Sequence, residues 1–303
     1  PPCFQAEDGI RDKQICLVGS EMCIRDRENI VPHIDLGQGV RARHIQIDME
    51  RAPTFDLYSK AGNVLRTMTA NRWENVPVTS KGRVVGYVRR SKLQKADPEQ
   101  PIRNMTNSLA GGAIVSGDTP ISEIMEWIAD QRILFVLEGR EITGIISIWD
   151  FNKQPARAYY YLVLAGLEIA LADLIRWKYG AKQSNLVAHL GSRDIEDLNL
   201  RMERGGARSG HDDIVSYLNF KHLLRVFEKD RALRMELGKY ESNKWNSMTK
   251  PLGELRNEVM HPVKTLVGSV DEMRALTRDL ANATRLVETA ILALRKKYPV
   301  KPR

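Results

Sequence analysis

Between about residue 53 and residue 153 the apolar positions change spacing twice, each time in the same order. Val64-Leu65-Arg66-Thr67-Met68-Thr69 has the three-to-four spacing of an amphipathic helix. Asn75–Thr79 then reads as a short strand, Ser80-Lys81-Gly82 as a tight turn, and Arg83–Val88 as the returning strand. A second set begins at Ala113–Asp118, where Thr119 or Asp118 is expected to cap a helix with Pro120 in its first turn. That helix runs through Ile121, Ile124, Met125 and Ile128. Ile133–Leu137, a turn at Glu138-Gly139-Arg140, and Glu141–Ser147 close the set as another hairpin. The pattern predicts an internal repeat of helix-strand-turn-strand units, spaced by about 60 residues. An entry segment from residue 28 to about 50 carries a predicted strand at Arg43–Ile47.

From Arg157 onward helical spacing dominates. The predicted helices are Arg157–Tyr179, Ser192–Arg204, Asp213–Lys229, Arg231–Ser242, Lys250–His261 and Asp271–Lys297, an all-α region of four or more helices. Gly205–Gly210 reads as a flexible basic loop. The apolar run Ala158–Ile175 carries Glu168 and Asp173 in its middle, so it reads as a helix buried between protein surfaces and not as a membrane span.

Composition is ordinary for a folded protein, with 43% apolar and 28% charged residues in 303. The charge is uneven. Residues 28–156 hold 16 Lys+Arg against 15 Asp+Glu, whereas residues 157–303 hold 26 against 18. A basic helical half attracts polyanions, nucleic acid above all; a solvated basic surface without a partner is the alternative. The first 27 residues resemble translated sequencing-adapter sequence and are set aside from the fold. Cys3, Cys16 and Cys23 all fall there, so residues 28–303 lack cysteine, which fits a cytoplasmic location and leaves no thiolate metal site. His189, His211 and His222 lack metal-ligand spacing, so no metal is expected.

Asn75-Val76-Pro77-Val78 with Gly82–Val88, and Gly144-Ile145-Ile146-Ser147-Ile148-Trp149-Asp150 in the second copy, resemble a tandem pair of CBS domains. The resemblance implies a regulatory adenine nucleotide (AMP, ADP, ATP or a relative) held by Gly144, Ser147 and Asp150. Glycine admits close backbone approach, Ser147 offers a hydroxyl to phosphate, and Asp150 is a charged acceptor for ribose hydroxyls. Strand-end punctuation, with Asp150 capping the next helix, is the competing reading. The equivalent first-copy positions are Gly86, Arg89 and Lys92.

Arg256-Asn257-Glu258-Val259-Met260-His261, followed by Pro262, resembles the Arg–polar–His signature of HEPN domains. That likeness implies a homodimeric, metal-independent ribonuclease, with His261 as general base or acid and Arg256 stabilising the phosphate. Asn257 would orient substrate. The alternative is a pair of cations favouring a helix C-terminus. Residues five apart on a helix point roughly 140° from each other, and Pro262 is expected to push His261 out of helical geometry. Glu168 or Asp173 is a candidate to hold Arg256 or His261. The expected fold is an α+β CBS pair (Bateman module) at 28–153 joined to an all-α HEPN-like helical bundle at 154–303. An adenine-nucleotide-regulated ribonuclease acting on RNA is the first reading. A non-catalytic CBS regulatory and dimerisation protein, binding RNA or a protein partner, is the second.

Overall fold

The computed structural model describes residues 39–109, 112–180, 184–205 and 213–297. The segment 1–27 with its three cysteines, and residues 206–212 of the basic loop with His211, lie outside the described residues.

The first copy consists of β2 (Phe55–Asp56), the helix Ala61–Ala70, β3 (Asn75–Ser80) and β4 (Arg83–Arg89); the second has β6 (Ile114–Ser116), the helix Ile121–Gln131, β7 (Ile133–Glu138) and β8 (Glu141–Ser147). The two remaining short strands are β1 (Ile47–Asp48) and β5 (Asn107–Ser108). In chain order the α-helices are α1 (Ala42–Ile45), α2 (Ala61–Ala70), α3 (Arg90–Leu93) and α4 (Ile121–Gln131). They continue with α5 (Gln154–Tyr179), α6 (Ser184–Val187), α7 (Ser192–Gly205) and α8 (Phe220–Lys229), then α9 (Arg231–Leu237), α10 (Ser242–Val259) and α11 (Val270–Lys297).

Two four-stranded sheets result, ordered β2-β3-β4-β5 and β1-β8-β7-β6. Their registers match. Val78 pairs with Gly86 and Val136 with Gly144, and the register shifts immediately after each, at Thr79 and Leu137. In each sheet one short strand runs parallel to the hairpin and another antiparallel. The halves are interlaced: β1, early in the chain, completes the sheet of the second copy, pairing Asp48 with Gly144. β5, just ahead of the second copy, completes the first sheet by pairing Ser108 with Gly86.

The central strands are buried on both faces, in unbroken runs at Val76–Val78 and Ile133–Val136. Ala61, Val64 and Met68 of α2 pack on Val76, Val78 and Val88. The sheets meet through Tyr87 and Phe135, whose ring centroids are 6.1 Å apart, among Ala52, Ala113, Ile133 and Ile145. The first hairpin turns through Lys81 (φ +50°) and Gly82 (φ +75°), both in the left-handed region that two-residue hairpin loops need.

Several sequence expectations are corrected. Arg43–Ile47 is not a strand: Ala42–Ile45 is a helical turn and only Ile47–Asp48 pairs with a neighbour. Neither Thr119 nor Asp118 caps α4, whose N-cap is Pro120 without a side-chain bond. The Asp118 carboxylate is drawn instead to Arg41 (3.2 Å) and Arg43 (2.7 Å). The span 213–229 breaks into a 3-10 turn, Ile214–Tyr217, and α8, because Asn219 Oδ1 caps the new helix at His222 N. Gly238 (φ +131°) ends α9 at Leu237, short of the expected Ser242. The next helix starts at Ser242, eight residues earlier than Lys250, and takes Pro251 into its interior.

α5 is apolar on most of its circumference and long enough to cross a membrane, yet it packs against α8, α10 and α11. Tyr160, Leu164, Leu167, Leu171 and Leu174 are buried there. Its Asp173 pairs with Arg176, which also binds Asp213 at 2.7 Å, so the polar positions have partners within the protein. Trp245 of α10 is fully buried, stacked on Phe227 and donating to the Leu224 carbonyl. α11 lies along α5 and also reaches α4 of the second copy, through Arg274–Asp130 (2.9 Å) and Thr277 Oγ1 to the Met125 carbonyl (3.3 Å). Both sheets and all these helices belong to one unit, Leu36–Arg303.

Candidate functional site

Ser147 closes β8 and caps a single 3-10 turn, Ile148–Asn152. Its backbone N–H and hydroxyl both donate to Asp150 Oδ2, at 2.7 and 2.8 Å. Asp150 is 3% exposed, and its other oxygen accepts from Lys153 Nζ at 2.8 Å. A buried carboxylate is tolerable because a hydroxyl, an amide and an ammonium group satisfy it. Asp150 closes a capping box with Ser147 in this structure, so a ribose reaching the carboxylate would have to compete with the Ser147 hydroxyl.

Gly144 lies beneath the Gln46 side chain. A Cβ there would sit 2.6 Å from Cδ and Oε1 of Gln46, whose side chain lies over the glycine. At the matching Gly86 a Cβ would strike the Asn107 carbonyl oxygen and Thr106 Cγ2. Both glycines thus admit the segment that brings in the closing strand. Gln46 Oε1 is buried and has no hydrogen-bond partner among the described residues, which leaves an unused acceptor beside the Ser147 strand. In the first copy Arg89 leans over the Tyr87 ring (5.6 Å) and donates to its hydroxyl, while Lys92 is exposed.

The second cluster lies at the end of α10. Arg256 is half-buried, with Nε 3.8 Å from Glu168 Oε2 of α5. Burial raises the Glu168 pKa and the Arg256 charge opposes that rise. Asn257 is exposed on the last helical turn. The helix stops at Val259, and His261 follows it, exposed and outside helical geometry, as its position before Pro262 requires. Of the two carboxylates on α5, Glu168 approaches Arg256; Asp173 is committed to Arg176.

Sequence reasoning missed the residues that join these clusters. Arg157 is 4% exposed and donates to the carbonyls of Asn152, Glu258, Val259, His261 and Lys264. A guanidinium with five donors suits the converging carbonyls at the negative end of α10. Arg234 does the same for α8, donating to Phe227 and Glu228. Lys153 donates to the Ile45 and Gln46 carbonyls. Nothing in the local pattern marks an arginine at the head of a helix as the cap of another helix a hundred residues away. Among the described residues no group of His, Cys, Asp or Glu is placed to hold a metal ion.

The CBS domain profile matches residues 42–99. That span covers the first copy, where Gly86, Arg89 and Lys92 stand, and not Ser147 or Asp150. No curated protein matches. Among solved structures, similarity is found to a hemolysin-like protein containing a CBS domain from Oenococcus oeni PSU, at 17% identity. That match covers 38% of this chain and 89% of that one, with a TM-score of 0.33. The CBS domain of a bacterial CNNM/CorC family Mg2+ transporter, in complex with ATP, is 15% identical over 41% of this chain and 93% of that one, TM-score 0.34. A CBS domain-containing protein of unknown function from Bacillus anthracis str. Ames Ancestor is 12% identical over 42% and 95%, TM-score 0.35. By the family match the chain carries a CBS domain at residues 42–99, within a mixed α/β portion followed by a long region that is helical among the described residues.

Proposed function

We propose that this chain is a regulatory CBS protein that senses an adenine nucleotide at the end of β8 and passes its occupancy to the helical region. The observation that carries the reading is the pairing of the Ser147 hydroxyl with the buried Asp150 carboxylate, directly ahead of the turn that enters α5. A ribose can replace the Ser147 hydroxyl at Asp150, freeing that hydroxyl for a phosphate oxygen. The absence of cysteine from residues 28–303 accords with a cytoplasmic sensor. Titration of the full chain with AMP, ADP and ATP tests it. Binding that Asp150→Ala weakens at least tenfold supports the site. No binding at millimolar nucleotide, or binding indifferent to both Asp150→Ala and Ser147→Ala, removes it.

A second reading, RNA cleavage, is favoured by one observation: His261 stands exposed just beyond α10, with Arg256 on its last turns tethered to Glu168. In that chemistry His261 takes the 2′-hydroxyl proton, the 2′-oxygen bonds to phosphorus to form a 2′,3′-cyclic phosphate, and the P–O5′ bond breaks as the 5′-oxygen takes a proton from water. Arg256 stabilises the charge gathering on the phosphate, and Asn257 orients the substrate. The excess basic charge of residues 157–303 favours RNA. A homodimer would cover the exposed Tyr161, Leu162 and Ile169 of α5. Incubation with RNA in EDTA decides the matter: cleavage abolished by His261→Ala supports it, and cleavage surviving that substitution removes His261. Full activity from a species sedimenting as a monomer excludes a shared site.

A further inference from the structure

The turn Ile148–Asn152 has two sides. Its first residues close the Ser147–Asp150 box, and its last residue grips the segment between α10 and α11. Asn152 Oδ1 accepts from the backbone N–H groups of Leu266 (2.7 Å) and Val267 (3.1 Å), and its Nδ2 donates to the Val267 carbonyl at 2.7 Å. The amide side chain thus pairs with backbone as a neighbouring strand would. The Trp149 ring of the same turn lies against Gly268, 3.5 Å from where a Cβ would stand. One turn later, Arg157 holds the carbonyls of Glu258, Val259, His261 and Lys264. Between them, Asn152 and Arg157 fix both ends of the stretch 258–267 to a piece of chain that starts at Asp150.

We infer that Ile148–Asn152 is a relay, and that Asn152 is the positioning residue through which the state of Asp150 sets the conformation of residues 258–268. A ligand hydroxyl accepted by Asp150 displaces the Ser147 hydroxyl and draws on the Lys153 ammonium, which otherwise ties Asp150 to the Ile45 and Gln46 carbonyls. A turn of five residues has little slack, so rotation at its head moves Asn152 at its tail. Because α11 begins at Val270 and also contacts α4, the displacement reaches the start of α11 and its contact with the second copy. The relay rests on the proposed nucleotide site for its natural trigger, but not for its test. Coupling of this kind is reciprocal: what the ligand does to the 258–268 stretch, that stretch does to ligand affinity.

Amide hydrogen exchange of the full chain, with and without the nucleotide that binds among AMP, ADP and ATP, provides the test. In the wild type, exchange at Leu266 and Val267 is expected to change about fivefold or more on saturation. Asn152→Ala should abolish that change while the nucleotide still binds, with Kd shifted by a similar factor. Binding with unchanged exchange, or an equal change in Asn152→Ala, overturns the relay. If no nucleotide binds, the sensing reading fails separately, and Asp150→Asn and Lys153→Met then decide. Altered exchange at 266–267 in those variants supports the relay, and unaltered exchange overturns it. Should Asn152→Ala not fold, Asn152→Asp keeps the acceptor for Leu266 and Val267 and loses only the donor. Partial loss of the response is then expected, and a full response overturns the assignment.

Discussion

Glu168 Oε2 and Arg256 Nε face each other at 3.8 Å across α5 and α10, a distance at which charge attraction acts without a formed hydrogen bond. Burial lifts the Glu168 carboxyl above its ordinary 4.5, and Arg256 only partly offsets this. A carboxyl whose folded pKa is raised adds stability below the unfolded value and loses it as pH rises through the folded one. Glu168→Gln should therefore gain on the wild type in thermal stability as pH climbs from 4.5 towards neutrality. Melting temperatures measured across that range check it; a constant difference between the two proteins would refute it.

Arg157 offers a sharper test of what holds α10 in place. Its removal takes the donor from the carbonyls of Val259 and Lys264, whereas those of Glu258 and His261 keep the backbone N–H groups of His261 and Lys264. Leaving buried acceptors unsatisfied costs about 1–3 kcal/mol each at most, so Arg157→Met should lose roughly 3 kcal/mol in all. Arg157→Lys should recover little, since one ammonium cannot span the carbonyls that a planar fork reaches. Urea unfolding midpoints give the comparison.

The contact of Gly144 with Gln46 predicts a rescue. Gly144→Ala places a methyl 2.6 Å from Cδ and Oε1 of Gln46 and should destabilise by about 1–3 kcal/mol. Adding Gln46→Ala removes the obstacle, so the double variant should be more stable than Gly144→Ala alone. Additive losses in a double-mutant cycle would show that the two side chains do not meet.

His222, 2% exposed, has Nε2 at 3.7 Å from Asp194 and 3.5 Å from Asp197, with Arg225 and Arg201 bound to the same carboxylates. Burial lowers its pKa below 6.5, outweighing Asp197, with Arg201 and Lys221 acting in the same direction as burial. A depressed folded pKa gives stability above the unfolded value that is lost as pH falls through the folded one. The protein should therefore weaken on acidification below pH 6.5, and His222→Gln should flatten that fall. Thermal melts between pH 7 and pH 5 measure it.

Much of this fold could be read from spacing. Val76, Val78 and Val88, and Ile121, Ile124, Met125 and Ile128, are core residues at the expected periods, and both hairpins stand where turn residues put them. What could not be read is non-local. The exchange of β1 and β5 depends on pairing across the repeat, and strands of two residues leave no periodic signal. The end of α9 at Gly238 was legible in principle from the glycine, but the apolar spacing ran past it. Ser147 and Asp150 share a local motif, and the cost of burial marks Glu168 and Asp173 as needing partners without saying which of them meets Arg256 or His261. Asn152, Lys153 and Arg157 act through main-chain carbonyls and amides, which any sequence can supply, so no residue pattern announces them.

The crossing of β1 into the far sheet has a consequence for synthesis. As the chain leaves the ribosome, residues 47–48 have no edge to join until β8, ending at Ser147, has followed about a hundred residues later. Until then Gln46 has no Gly144 to cover, and the first sheet waits likewise for β5. Each sheet of the α/β portion is thus completed by a short strand that lies beside the other copy in sequence. A cut between the copies, ahead of β5, would leave each fragment lacking the short strand that closes its sheet, with an open edge there.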